Sequence, residues 1–446
     1  MIRVLIRLAL AICAAGLAGC ASSPPLPVHE PLQRVERKTP VIIVPGISGS
    51  VLRDKASGKA LWGEGRNVLF PRDGGYGLAR PIGAPDDAES RLEVDGPILR
   101  VQLVGVIRKD VYAPIGDMLV NHGYQMGDLD NPRPGDTVFY FGYDWRQDSA
   151  RMAGLLMEKL ENLRRVRGEE AMPVSFIAHS NGAHICRWLM KYGGAEIDAA
   201  EAGQAARPTQ LDVQKLILVG NSNGGSLAIM ELLQDGKIYI PYIGRRLRPE
   251  IAFTFPSLYQ DLPSYRSDLF VDEKGEPLAV DLYDAENWRR FGWSVFGDRV
   301  RKHIERSGRS DLLGDEAARM AFLRESLVNA RRFQQLLAQD AAIAPSTRIY
   351  SIQNVSLPTP ERVALIEKAG ERKPYFTDAR EVKKRRGLQD AITAKGDGHA
   401  TRASQEWLTP REKAAMPHPP FHVGGTHAGL VVQPELHRKL LEYLAE

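Results

Sequence analysis

Cysteine is scarce in this chain of 446 residues: there are three, Cys13, Cys20 and Cys186. So few thiols exclude a small disulfide-stapled scaffold and a cysteine-rich metal module. Charge of one sign is equally short, since 59 Lys and Arg against 55 Asp and Glu leave a net charge of only +4. That balance gives no case for a nucleic-acid partner. Long apolar runs are missing too. The longest near the start, Leu8 to Leu17, falls short of the roughly 18 residues a membrane-spanning helix needs. No internal repeat is present, which argues against a solenoid or propeller. What remains is an ordinary globular composition, 43% hydrophobic, long enough to bury one large core with insertions.

The first nineteen residues read as a targeting segment rather than as part of the fold. Arg3 and Arg7 give a positive start, Leu8 to Leu17 an apolar core, and Leu17-Ala18-Gly19 small residues before Cys20. Leu-Ala-Gly-Cys resembles the bacterial lipoprotein signal, which implies that Cys20 becomes the lipid-modified first residue of the mature chain. Ala21 after it implies the outer membrane, facing the periplasm. Residues 20–38, rich at first in serine and proline, read as a flexible tether, and residues 39–446 as the folded domain. Cys13 leaves with the signal and Cys20 is consumed by lipid, so the remaining Cys186 forms no intrachain disulfide and reads as core packing.

Beyond the tether, short β-branched or aromatic runs alternate with helix-like stretches, the pattern of a mainly parallel sheet with helices on both faces. Strands are predicted at Pro40–Val44, Thr137–Phe141, Val174–Ala178, Lys215–Val219 and Thr347–Ile352. Helices are predicted at Tyr112–His122, Ala150–Arg167, Ala183–Tyr192, Ala318–Gln339 and Pro434–Tyr443. Between residues 227 and 346 the alternation is interrupted, and an inserted cap over the strand ends is expected there.

Two strands run into serine turns. Ala178-His179-Ser180-Asn181-Gly182 is one residue from the G-x-S-x-G elbow, and Gly220-Asn221-Ser222-Asn223-Gly224 matches it strictly. The pentapeptide alone decides little, because a pattern so loose arises by chance in a chain this long. The chemistry requires a helix to start at once behind the nucleophile, so that the next backbone N–H points at the developing oxyanion. Ser180 is followed by such a stretch, whereas Ser222 is followed by Gly224 and Gly225, each costing about 1 kcal/mol in a helix. There the better N-cap is Ser226. Ser180 is therefore the candidate nucleophile.

Three further positions complete a site. The first strand runs into Pro45-Gly46-Ile47-Ser48-Gly49-Ser50, a turn able to aim the Ile47 N–H into the site beside that of Asn181. His427, flanked by glycines in Gly424-Gly425-Thr426-His427-Ala428-Gly429 just before the last helix, is the candidate base, with His422 its nearest rival. Asp397, between Gly396 and Gly398, is the candidate acid, with Asp390 and Glu406 as alternatives. The order Ser180, Asp397, His427 is that of the α/β-hydrolase triad. No cofactor and no metal is expected.

With these positions assigned, the sequence resembles the lecithin:cholesterol acyltransferase family, whose members include acyltransferases and phospholipases A. The likeness rests on Pro45–Ser50, on Tyr143-Asp144-Trp145-Arg146, on Leu218–Ser226, on Ser356-Leu357-Pro358-Thr359-Pro360 and on Gly396-Asp397-Gly398. It implies an α/β-hydrolase fold and a structural rather than catalytic role for Asp144 and Arg146. It also implies a non-catalytic turn at Ser222 and a mobile flap at Leu61–Gly65. His399 departs from the Thr usual after Gly-Asp-Gly, and the cysteines that pin a lid near Trp62 in animal members are absent.

The chemistry implied is two-step acyl transfer from a lipid ester, a phospholipid by preference, with hydrolysis or transfer left open. Ile238 to Ile243 followed by Arg245, Arg246 and Arg248 suits a membrane interface, or equally a buried cap strand with a solvated turn. Lys383 to Arg386 reads as a solvated loop. Two other readings stand beside this one: a secreted esterase on a non-lipid ester, and a catalytically silent lipoprotein keeping the fold as an envelope-binding module.

Overall fold

A computed structural model describes residues 38–64, 73–83, 90–102, 108–205, 208–236, 247–368 and 371–446. The signal, the lipid-attachment position Cys20 and nearly all of the tether lie outside the described residues, as does the segment 237–246. Six strands form the central sheet: β1 (Val41–Val44), β2 (Val138–Tyr140), β3 (Met172–His179), β4 (Leu211–Val219), β5 (Arg348–Gln353) and β6 (Phe421–His422). Their order is β6-β5-β4-β3-β1-β2, and every neighbouring pair is parallel. The five predicted strands are all present, with β3 and β4 extended toward their N-terminal ends. The sixth, two residues long, carries too little pattern to be read from sequence.

Period-2 alternation divides the strand side chains between two cores. Ile42 and Val44 join one core, with Leu156 and Leu160 of helix α2 (Ser149–Arg167) and Ile185 and Leu189 of helix α3 (Gly182–Tyr192). Val41 and Ile43 join the other, with Ile115 and Leu119 of α1 (Ala113–Asn121) and Leu436 and Leu440 of the C-terminal helix Pro434–Ala445. Burial on both faces is why these strands read as continuous apolar runs. Chain chemistry sets the helix ends. Asp148 caps α2 by accepting from Ala150 and Arg151 N–H, and Gly168 closes it in the left-handed conformation at φ 68°. Ser226, as expected, caps helix α4 (Leu227–Asp235), accepting from Ala228 N–H.

From β1 the chain goes to β2 on one side, then returns across β1 to continue outward through β3, β4, β5 and β6. The switch point thus lies between β1 and β3, and open α/β sheets place their sites at the carboxyl ends of such strands. The turns after Val44 and His179 are therefore neighbours.

The excursion from residue 227 to 346 contains α4 and the long helix α5 (Glu316–Ala338). It does not stand alone. Strand Phe270–Val271 pairs in parallel with Val363–Lys368, which pairs antiparallel with Glu371–Tyr375. A second excursion, after β5, thereby completes the sheet begun by the first. The segment expected as a flap enters a three-stranded antiparallel sheet as strand Ala60–Trp62. Trp62 is buried, lies edge-on to Trp145 at 5.6 Å and donates Nε1–H to the Ser48 carbonyl at 3.0 Å. No described helix is long and apolar enough to cross a membrane.

Candidate active site

Between the end of β3 and the start of α3, Ser180 and Asn181 turn the chain. Ser180 takes φ 55°, the left-handed region that side-chain-bearing residues rarely adopt. Its neighbours hold that strain in place: Ser180 N–H donates to Val219 O at 3.1 Å, and Ala183 N–H to Ser180 O at 2.9 Å. The small residues of the pentapeptide have a reason. A Cβ on Gly182 would sit 2.5 Å from Val44 O and 2.9 Å from Pro45 O, so only glycine lets α3 start against β1. Ala178 is fully buried, in register with Val44 on one side and Leu218 on the other.

The Ser180 Oγ lies 2.9 Å from His427 Nε2, and His427 Nδ1 lies 2.8 Å from Asp397 Oδ2. Asp397 is fully buried, and its other oxygen, Oδ1, accepts from His399 and Ala400 N–H at 2.9 and 2.8 Å. Burial works to raise this carboxyl, but His427, His399 and the backbone donors outweigh it and hold it below the usual carboxylate range. An ionised carboxylate only accepts hydrogen bonds, so Nδ1 carries the imidazole proton and Nε2 presents its lone pair to Ser180. The His427 N–H also donates to Asp397 O at 2.9 Å, so His427 is fixed to Asp397 through backbone and ring together.

The loop after β1 lies directly against the elbow. A Cβ on Gly46 would fall 2.7 Å from Ser180 Cβ. Among the described residues, neither the Ile47 nor the Asn181 N–H has a hydrogen-bond acceptor. The sequence-predicted rivals are engaged elsewhere. Ser222 is fully buried and donates to Asp261 Oδ1 at 2.6 Å. His422 is exposed in β6, Asp390 is exposed, and Glu406 pairs with Arg402 at 2.7 Å. Asp144 and Arg146 are buried together as an ion pair of 2.7 Å, and Arg146 also donates to Leu78 O at 2.8 Å. Lys383 is exposed, 3.2 Å from Asp378. Of the apolar-basic cap segment only Arg248 is described; it lies 4.0 Å from Glu250. Among the described residues no group of three His, Cys, Asp or Glu side chains is arranged to hold a metal ion.

Several residues around the site escaped sequence reasoning. Tyr112 and His179 join the two loops that flank Ser180, and His399 stacks on His427 with ring centroids 4.3 Å apart. Asp261 is fully buried, and burial raises its carboxyl to about 6. Its Oδ2 lacks a hydrogen bond, with His399 Nε2 3.8 Å away. On α3, Arg187 and Lys191 meet Glu412 at 2.8 and 3.3 Å, all three buried. His179 had a signal in its place inside the pentapeptide and His399 in its departure from Thr after Gly-Asp-Gly; the others are recruited from distant positions with no local pattern.

Parallel sheet, strained turn and hydrogen-bonded row have the layout of the α/β-hydrolase fold. The solved Tle4-Tli4 complex has a chain of the same fold: TM-score 0.55, 13% identity, covering 92% of this chain and 98% of that one. A second structure, the mature lipase BlEst2 of Bacillus licheniformis, overlaps 94% of this chain and 95% of its own at 9% identity, but its TM-score of 0.30 carries no weight. No curated protein matches the sequence. Residues 103–271 match the family Lecithin:cholesterol acyltransferase. The matched span holds the Tyr143–Arg146 block and both serine turns; Pro45–Ser50, Asp397 and His427 lie outside it.

Proposed function

We propose that this protein is a serine acyl-transfer enzyme acting on lipid esters, with Ser180 as nucleophile, His427 as general base and acid, and Asp397 as the orienting carboxylate. The observation that carries this reading is the continuous row from Ser180 Oγ through His427 to buried Asp397, at 2.9 and 2.8 Å. His427 Nε2 takes the hydroxyl proton as Ser180 Oγ attacks the ester carbonyl. The Ile47 and Asn181 N–H groups receive the oxyanion, each donor contributing about 2.7–4 kcal/mol in comparable sites. The imidazolium then gives its proton to the departing alcohol oxygen, leaving an acyl-Ser180 ester. In the second half, water or another alcohol attacks that ester, His427 removes the attacker's proton, and Ser180 leaves with the proton returned to its oxygen.

Lipid esters, and phospholipids in particular, are favoured by the family match and by the lipoprotein-like start of the sequence. With Cys20 lipid-modified, the enzyme would work at the outer membrane on its periplasmic side, within reach of bilayer substrate. The test is mass spectrometry of isotope-labelled phospholipid vesicles incubated with wild type and Ser180→Ala, reading fatty acid, lysolipid and any new ester together. Free fatty acid with lysolipid identifies a phospholipase; a new ester identifies an acyltransferase. Faster turnover of short soluble esters than of vesicles makes the protein a non-lipid esterase. Folded wild type that resists a fluorophosphonate probe and turns over no ester is a silent binding lipoprotein.

A further inference from the structure

His179 sits inside the elbow pentapeptide, and its ring points to neither Asp397 nor the Ser180 hydroxyl. Its two nitrogens meet Tyr112 Oη at 2.7 Å and the carbonyl of His427 at 3.2 Å. Tyr112 Oη in turn lies 3.0 Å from the Gly46 N–H, in the loop after β1. Both side chains lie in the interior: Tyr112 is 3% exposed and His179 7%.

Hydrogen-bond chemistry gives this row one direction. The Gly46 N–H can only donate, so it occupies a lone pair of the tyrosine oxygen. At the other end the His427 carbonyl can only accept, so His179 Nε2 carries the ring proton and donates it there. With a single ring proton Nδ1 is bare, and it accepts from the Tyr112 hydroxyl. The ring stays neutral: burial, helped by the neighbouring His427, holds its pKa at about 3.

We infer that Tyr112 and His179 are positioning residues for the acyl transfer proposed above, forming a directed hydrogen-bond chain that ties the oxyanion loop to the base loop. The need for such a tie is visible in both loops. Gly46 immediately precedes Ile47, whose N–H must stay aimed at the oxyanion. His427 follows Gly424 and Gly425 and precedes Gly429, and Gly425 is at φ 112°; Asp397 holds its N–H and Nδ1, and the bond from His179 fixes its carbonyl as well. Catalytic groups must be held to within about 0.5 Å, and a fixed chain across the elbow sets both loops against one frame. This inference rests on the proposed reading of Ser180, His427 and Asp397.

Three variants divide the chain. Tyr112→Phe removes its centre, leaving the Gly46 N–H and His179 Nδ1 without partners. His179→Asn keeps an acceptor near the tyrosine and loses the donor to His427, whereas His179→Gln does the reverse. Wild type and variants are compared by fluorophosphonate labelling rate, kcat and KM on a lipid ester, and thermal midpoint. Tyr112→Phe is expected to lower kcat and the labelling rate roughly 10- to 100-fold, with KM within about two-fold of wild type. Each His179 variant should lose about 3- to 10-fold, and Tyr112→Phe/His179→Gln no more than Tyr112→Phe alone, because both cut one path. In 15N NMR of the wild-type ring, His179 should stay the neutral Nε2–H tautomer from about pH 5 to 8.

Wild-type kcat in folded Tyr112→Phe, a fully multiplicative double variant, or an Nδ1–H or imidazolium His179 at neutral pH overturns the inference and leaves the proposed function standing. Wild type that neither labels nor turns over ester removes the proposed function itself, and the positioning role with it.

Discussion

The two serine turns at the ends of β3 and β4 lie side by side, and the one that fits the strict pattern is the one whose hydroxyl faces inward. At the first, the serine itself takes the left-handed conformation, φ 55°, which lifts its hydroxyl to His427. At the second, Gly220 and Gly225 take the positive φ values, 51° and 84°, and Ser222 stays buried with its hydroxyl on Asp261. Glycine relieves the strain that would otherwise project the serine. The paired aspartates differ in the same sense. Asp397 has an imidazole and two backbone donors and is held low; Asp261 has one hydroxyl, an oxygen without a hydrogen bond, and a carboxyl raised by burial to about 6. The surroundings of the first turn favour the ionised carboxylate, whereas those of the second disfavour it.

The largest expected difference is in turnover. Ser180→Ala should reduce kcat by on the order of 10⁵-fold or more and abolish fluorophosphonate labelling. Ser222→Ala should keep turnover within about three-fold while losing about 1–3 kcal/mol of stability, because Asp261 loses its hydroxyl donor. Loss of turnover in folded Ser222→Ala with retention in Ser180→Ala would reverse the comparison.

The acids come next. Asp397→Asn should cost about 10⁴-fold in kcat by favouring the wrong imidazole tautomer. Asp261→Asn should leave kcat within about three-fold, measured on the same ester. Equal losses would mean that Asp261 belongs to the reacting row.

Beneath the first turn, α3 is held by Glu412 against Arg187 and Lys191. Burial works to raise this carboxyl, but the two cations overcome it and hold it at about 2. A carboxyl lowered by folding stabilises above its unfolded pKa, 4.5, and that contribution disappears as pH falls toward 2. Glu412→Gln is expected to cost about 3–5 kcal/mol at pH 7 by leaving two buried cations without their anion. Chemical denaturation at pH 7 checks this, and the cost should shrink on acidification.

The smallest effect is opposite in sign. Asp261 is raised from 3.8 unfolded to about 6 folded, so the native state binds more protons between those values and loses stability as pH rises through them. Asp261→Asn should therefore stabilise by about 1–3 kcal/mol near pH 7, with the advantage gone below about pH 4. Denaturation curves at the two pH values decide it; destabilisation at both would show that the ionised carboxylate is a required acceptor.

Much of the sheet was legible because strands buried on both faces are largely apolar: β1 is so throughout, whereas the segments read for β3, β4 and β5 are broken by Ser175, by Lys215 and by Arg348 and Ser351. Helix starts were legible where a cap announces them, as Ser226 does for α4. Strand β6 was not, because two residues show no period. Nor was the joining of residues 270–271 to 363–364 across β5, since pairing between short strands far apart in sequence depends on the surrounding packing. Trp62, taken from sequence as part of a flap, is buried against Trp145 for the same reason.

At the site, Ser180, Asp397 and His427 were singled out because glycine turns at strand ends and their chain order are local, countable features. Tyr112 and Asp261 have no such mark, and His179 has only its place in the pentapeptide; their roles arise where a hydroxyl, a ring nitrogen or a carboxylate meets a particular partner in space. The sequence alone thus determined the fold class and the candidate row, because hydrophobic period and turn chemistry are written residue by residue. Tertiary structure alone decided which buried aspartate receives a serine proton without reaction, which histidine ring is neutral and in which tautomer, and how the loops around Ser180 are tied. Those depend on burial and on hydrogen-bond direction, which exist only once distant segments are brought together.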